Sequence, residues 1–252
     1  MRLRRVSLWA LIGAVAVVSL LVRAAVSNSA IKGKMVSAAP PWLSLYGVAM
    51  RPDGAAYAVG SKGLLMVSQD HGKNWDFRIL QERPGNDLFQ DLDLYAIHFT
   101  PDGNTGWVVG EMGLIMHSED GGATWKRQEG GVTANLFNVS AVDARHAYIC
   151  GEDGLLLSTD DGGQHWNTFK YKEPITFFDI VYTDANSGWA VGEFETVLHT
   201  TDSGKTWNLA YGGNTSDFTI GPYFSIVITN PGHALVTGLN GEIAVTRDGG
   251  KT

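Results

Sequence analysis

Ser118 to Trp125 reads SEDGGATW, a polar, glycine-rich turn that ends on the largest apolar side chain. The same pattern recurs as SQDHGKNW at 68–75, TDDGGQHW at 159–166 and TTDSGKTW at 200–207, and TRDGGKT closes the sequence at 246–252. Each copy has Ser or Thr, then Asp two residues on and Gly two residues after that. The complete copies add a Trp three residues after the Gly. The positions are Ser68, Asp70, Gly72, Trp75; Ser118, Asp120, Gly122, Trp125; Thr159, Asp161, Gly163, Trp166; Thr200, Asp202, Gly204, Trp207; and Thr246, Asp248, Gly250. The aspartates lie 50, 41, 41 and 46 residues apart, yet a glycine stands ten residues before each: Gly60, Gly110, Gly151, Gly192 and Gly238. A fixed offset inside a variable period means constant hairpins joined by variable connections. Repeats of this length belong to propellers and solenoids.

One unit shows its parts. LYAIHF (94–99), WVVGE (107–111), LIMHS (114–118) and TWKRQE (124–129) are short apolar or alternating runs, separated by Asp, Asn and Gly turns. Four short strands per repeat, with no sustained helical period beyond the N-terminus, predict an all-β fold: a β-propeller of four-stranded blades. Four full units fit at about 43–80, 93–129, 136–170 and 176–210, and a fifth from Tyr223 lacks its last strand. The sequence is expected to be an incomplete copy of a longer chain; the alternative is a five-bladed ring that KMVSAA (34–39) closes.

The box chemistry is that of a turn clip. The Asp accepts backbone N–H groups of its own turn, the Gly takes a backbone conformation others reach only at a cost, and the Trp wedges between sheets. These residues are therefore expected to be structural and not catalytic.

The boxes resemble those of the Asp-box, or bacterial neuraminidase repeat, propellers. The fuller blocks GWVVGEMGLIMHSEDGGATW (106–125) and GWAVGEFETVLHTTDSGKTW (188–207) most resemble the photosystem II assembly and stability factor family, over roughly residues 43–252. That resemblance implies a seven-bladed propeller, about five blades of it covered here, an export signal, and a non-enzymatic role in assembling or stabilising a membrane protein complex. Its alternative, from the box alone, is a sialidase-like glycoside hydrolase or a carbohydrate-binding propeller. No arginine recurs at a blade position, as a sialidase's carboxylate clamp would need, and no nucleotide, nucleophile-elbow or zinc motif is present. No catalytic residue, metal or cofactor is expected.

The N-terminus is different in kind. Arg2, Arg4 and Arg5 precede an uncharged run from Val6 to Val22, and small residues follow Arg23. Residues 1–27 read as a signal peptide, or as a membrane anchor through residues 6–22, and 28–42 as a linker to a propeller at 43–252. An exported protein, periplasmic or, in a photosynthetic cell, in the thylakoid lumen, is the expectation. The 252-residue chain has a net charge of −7, and the part after residue 27 keeps 15 basic against 26 acidic side chains, a net of −11. That excludes nucleic acid as a natural partner. It also departs from the basic patch that the resemblance implies. Cys150, the only cysteine, is expected in the core.

One column is a candidate partner-binding site. Glu111, Glu152 and Glu193 directly follow the repeat glycine, with Ser61 and Leu239 in the outer repeats. They fall at the turn between the second and third strands, at the end opposite the boxes. The longer connections 81–93 and 211–222 are expected nearby. His117 and His199 share another column just before the box and are expected to be structural.

Overall fold

The computed structural model describes residues 43–80, 92–217, 219–230 and 232–250. The expected leader, anchor and linker, and most of the connection 81–93, lie outside these residues. Five antiparallel sheets follow one another along the chain. The first comprises β1 (Leu45–Met50), β2 (Ala56–Gly60), β3 (Leu64–Ser68) and β4 (Asp76–Ile79). The second comprises β5 (Leu94–Phe99), β6 (Gly106–Gly110), β7 (Ile115–Ser118) and β8 (Lys126–Gln128). The third is β9 (Leu136–Ala141), β10 (Ala147–Gly151), β11 (Leu155–Thr159) and β12 (Asn167–Lys170). The fourth is β13 (Phe177–Tyr182), β14 (Gly188–Gly192), β15 (Val197–Thr200) and β16 (Asn208–Tyr211). The fifth has three strands among the described residues: β17 (Tyr223–Asn230), β18 (His233–Gly238) and β19 (Ile243–Thr246). Each sheet is a simple up-and-down meander, the blade of a propeller.

Apolar alternation makes the sheets stack. Along each second strand, successive side chains point to opposite neighbours. Val108, Ile149, Ala190 and Val236 face the preceding blade, and Val59, Val109, Cys150 and Val191 face the following one. The strands are therefore buried on both faces and read as continuous apolar runs. Four clusters result, one between each pair of neighbouring blades. Cys150 belongs to the third, and burial pushes its thiol well above the ordinary value.

The innermost strands carry the connection round the arc. Tyr46, Tyr95, Phe137, Phe178 and Phe224, the second residue of each, form a ladder with ring centroids 5.8, 5.3, 6.1 and 5.5 Å apart. Polar side chains bridge the same strands. Asp179 accepts the Asn138 amide from the blade before it, and the Ser225 hydroxyl (2.9 Å) and Ile226 N–H (2.9 Å) from the blade after it. His98 Nδ1 accepts the Ala141 N–H, and Ser140 Oγ the Tyr182 N–H. A buried carboxylate with three donors is satisfied, so Asp179 bolts three blades together at little desolvation cost.

The two ends of the arc differ from its middle. At one third-strand position Leu65, Ile115 and Leu156 are at most 2% exposed and Val197 6%, whereas Ile243 is 63% exposed. At one first-strand position Ile97, Val139, Ile180 and Ile226 are at most 5% exposed, whereas Val48 is 41% exposed. The first and fifth blades thus each present a face of the kind that the internal interfaces bury.

Candidate functional site

The two ends of the blades are built from different turns. At one end, between the third and fourth strands, stand the boxes. In the second blade the Ser118 hydroxyl donates to Asp120 (2.8 Å) and accepts the Gly122 N–H (2.8 Å). Asp120 then accepts the Thr124 N–H (2.8 Å) and hydroxyl (2.6 Å). The Trp125 indole N–H closes the turn on the Gly122 carbonyl (3.1 Å). The hydroxyl–aspartate–glycine links repeat in all five boxes. The conformation needs φ > 0 at the glycine: Gly72, Gly122, Gly163, Gly204 and Gly250 lie between +79° and +86°. Donors converging on the aspartates hold them low. Asn74 N–H brings Asp70 to about 2, the Thr124 hydroxyl and N–H bring Asp120 to about 2, and His165 N–H brings Asp161 to about 2. The Thr206 hydroxyl lowers Asp202 in the same way.

The box carbonyls also receive the neighbouring blade. Arg51 (2.7 Å) and the Tyr57 hydroxyl (2.7 Å) donate to the Gly121 carbonyl, and Arg78 to those of Gly122 (2.6 Å) and Ala123 (3.0 Å). Gln128 repeats the grip on the Gly162 carbonyl (2.7 Å), with its amide oxygen held by the Trp107 indole N–H (3.2 Å). These side chains carry no repeat signature, so sequence pattern alone does not single them out.

At the other end lies the glutamate column. The N–H groups of Ser61, Glu111, Glu152, Glu193 and Leu239 donate to the carbonyls of Ser44, Asp93, Asn135, Thr176 and Pro222, at the start of the first strand of the same blade. The side chain then reaches back. Glu111 Oε2 accepts the Asp93 N–H (2.9 Å), Glu152 Oε2 the Asn135 N–H (3.2 Å) and Glu193 Oε2 the Thr176 N–H (2.7 Å), while Ser61 Oγ accepts the Ser44 N–H (2.8 Å). Two backbone groups are satisfied reciprocally, as in a helix capping box. Each glutamate bonds within its own blade, half-buried, and the column is a ring of clamps at one end of the arc. The repeat glycine now has its reason. A Cβ on Gly60, Gly110, Gly151 or Gly192 would stand within 2.3 Å of the carbonyl oxygen that this clamp uses.

The same turns latch onto the next blade. Gly63, Gly113 and Gly154 donate N–H bonds to Leu92, Ala134 and Ile175, and Glu195 donates to Gly221. The connection 211–222 therefore lies against the fourth blade's turn, also through Gly213 N–H to the Phe194 carbonyl (2.9 Å). In that turn Glu195 takes φ +53°, where the four other blades have a positive-φ glycine. Burial, Glu242 and Asp217 raise its carboxyl.

His117 lies tilted against Trp107 (4.6 Å) and His199 stacks on Trp189 (4.0 Å), and burial lowers both imidazoles. They sit in different blades. Among the described residues no group of three or more His, Cys, Asp or Glu side chains is placed to hold a metal ion. No helix there is long and apolar enough to cross a membrane.

No curated protein matches the chain. Among solved structures, the WD40 repeats of RRP9 superpose with a TM-score of 0.67 at 13% identity, over 82% of this chain and 61% of that one. The GH74 enzyme of Niastella koreensis gives a TM-score of 0.57 at 18% identity, over 82% of this chain and 30% of that one. Both likenesses are of fold. YCF48 bound to D1 peptide is 16% identical with a TM-score of 0.44, over 82% of this chain and 93% of that one. The family model described as photosynthesis system II assembly factor YCF48 matches residues 34–130 and 125–252, so five Asp-box blades, clamped at one end and clipped at the other, belong to a member of that family.

Proposed function

We propose that this protein is a non-enzymatic, exported scaffold that assists the assembly or stability of a membrane protein complex. The observation that carries this reading is the family match, which spans both halves of the arc. The site chemistry is consistent with it. Box aspartates and column glutamates alike are occupied with their own turns, which leaves them a structural part in place of a catalytic one. A peptide partner, as in the solved YCF48 complex, is the class of ligand we extend to this chain.

The clamp end, with Glu111, Glu152, Glu193 and the connection 211–222, is the face we assign to the partner. A domain of net −11 after residue 27 favours a basic segment. Each clamp leaves carboxylate charge at the turn, and such contacts weaken as salt shortens the screening length to about 3 Å at 1 M. We assign residues 1–27 to export, with residues 6–22 able to tether the protein to the membrane.

The test is capture of membrane proteins from native membranes by the tagged full chain. Glu111→Gln, Glu152→Gln and Glu193→Gln together keep an oxygen acceptor for each backbone N–H and remove the charge. The triple variant should fold and lose salt-sensitive capture. Lys73→Gln, Lys126→Gln and Lys205→Gln, at the box end, should leave capture intact. Loss of capture in the lysine variant alone would put the partner on the wrong end. A specific glycan-array hit with no membrane partner would favour the carbohydrate reading.

A further inference from the structure

The inner strands of the second, third and fourth blades form a groove of about 240 Å³ on the concave side of the arc. Each of these three blades has a described blade on either side of it. Residues 138–142, along and just past β9, and 180–183, along and just past β13, line the groove as unbroken runs. His98 and Pro101 join them from the end of β5. Side chains alternate between the two faces of a strand, so an unbroken run is met edge-on, through its main chain.

Donors on these edges are already used. The Ala141 N–H goes to His98 Nδ1 (3.2 Å), the Tyr182 N–H to Ser140 Oγ (3.1 Å) and the Val139 N–H to Asn138 Oδ1 (2.7 Å). In an antiparallel strand the N–H and C=O of one residue point the same way, so the carbonyls of Val139, Ala141 and Tyr182 lie on the same edges. No protein donor meets these three carbonyls among the described residues, and all three residues are buried. The groove is therefore rich in acceptors. Pro101, Val142 and Val181 give it an apolar wall, and no lysine or arginine is among its lining residues. Asp179 stands behind it on the Asn138 amide. Asp102, Asp143 and Asp184, each one residue beyond a lining residue, accept N–H bonds of their own turns. Their charges make the potential at the mouth negative.

We propose that this groove binds a primary alkylammonium group, the chemistry shared by small aliphatic amines and the lysine side chain. An ammonium carries three N–H donors and no acceptor, which matches three carbonyls without donors. Its positive charge suits the surrounding carboxylates, and its alkyl stem lies along Pro101, Val142 and Val181. A neutral alcohol of the same length brings one donor and no charge, and a quaternary ammonium brings charge and no donor. The groove sits where the first strands end, on the side of the boxes, so its failure leaves the clamp-end reading untouched.

The test is an NMR titration of the full chain, read at the carbonyl carbons of Val139, Ala141 and Tyr182. n-Butylammonium chloride should shift these signals saturably, and about tenfold more tightly than n-butanol or tetramethylammonium chloride. Thr183 is exposed at the rim. Thr183→Lys should weaken butylammonium binding and Thr183→Glu should tighten it, each about threefold, as a surface charge pair does. Tighter binding of Nα-acetyl-lysine methylamide than of butylammonium would assign the site to the lysine of a polypeptide; equal or weaker binding would assign it to a free amine. No shift in the folded chain, equal shifts with butanol or tetramethylammonium, saturation by potassium chloride at the same concentration, or an affinity indifferent to charge at 183 would overturn the proposal.

Discussion

Replacing Gly110 by alanine would set a methyl group against the Asp93 carbonyl at 2.1 Å, at the point where backbone meets backbone. The strand would have to shift, so Gly110→Ala should cost about 1–3 kcal/mol in denaturant melts. Ser118→Ala tests the clip from the other end of the blade. Ser118 is 2% exposed and its loss strands the Gly122 N–H, which should again cost about 1–3 kcal/mol. Glu195 offers the opposite sign. Its left-handed backbone is one that glycine adopts freely, so Glu195→Gly should stabilise by about 1 kcal/mol. The box aspartates also fix an acid limit. A carboxyl held below its usual 3.8 adds stability above that value, and the gain is lost as pH falls through the folded pKa. Asp70, Asp120 and Asp161 sit at about 2, so melts should lose this contribution between about pH 4 and 2. Asp120→Asn should flatten that slope.

At the scale of strands, the interfaces explain why two histidines lie on one column. His117 and His199 lie against the rings of Trp107 and Trp189, and burial lowers both imidazoles. Below 6.5 the unfolded chain takes up protons that the fold resists, so stability should fall with falling pH. His117→Phe with His199→Phe keeps a ring against each tryptophan and should remove that part of the pH dependence. The strands themselves were legible: LYAIHF is β5 at the expected bounds, and the other units differ from their sheets by a residue or two. Turn chemistry and apolar alternation are local and speak through sequence. The clamps did not, because the partner of Glu111 is the Asp93 N–H, and a backbone donor has no letter of its own. Nor did the grips of Arg51, Arg78 and Gln128, since a carbonyl of the next blade becomes their acceptor only once the blades are stacked. Asp179 stood in plain view within FFDIVY; its use as a bolt depends on Asn138 and Ser225, each more than forty residues away.

For the whole molecule, structural acids stand at both ends of the second, third and fourth blades, and the part after residue 27 is strongly acidic. The stiff arc presents its turns on a common end, and that geometry is what a scaffold needs. Its side-chain chemistry is spent on holding blades together. The most direct test of the scaffold reading is crosslinking mass spectrometry on the protein in its native membrane. Lys62, in the first blade's clamp turn, and Lys172, beyond β12, mark the clamp end; Lys73, Lys126 and Lys205 mark the box end. Crosslinks from Lys62 and Lys172 to subunits of a membrane protein complex are the predicted result. Crosslinks from the box-end lysines alone, or none to any membrane protein, would contradict it.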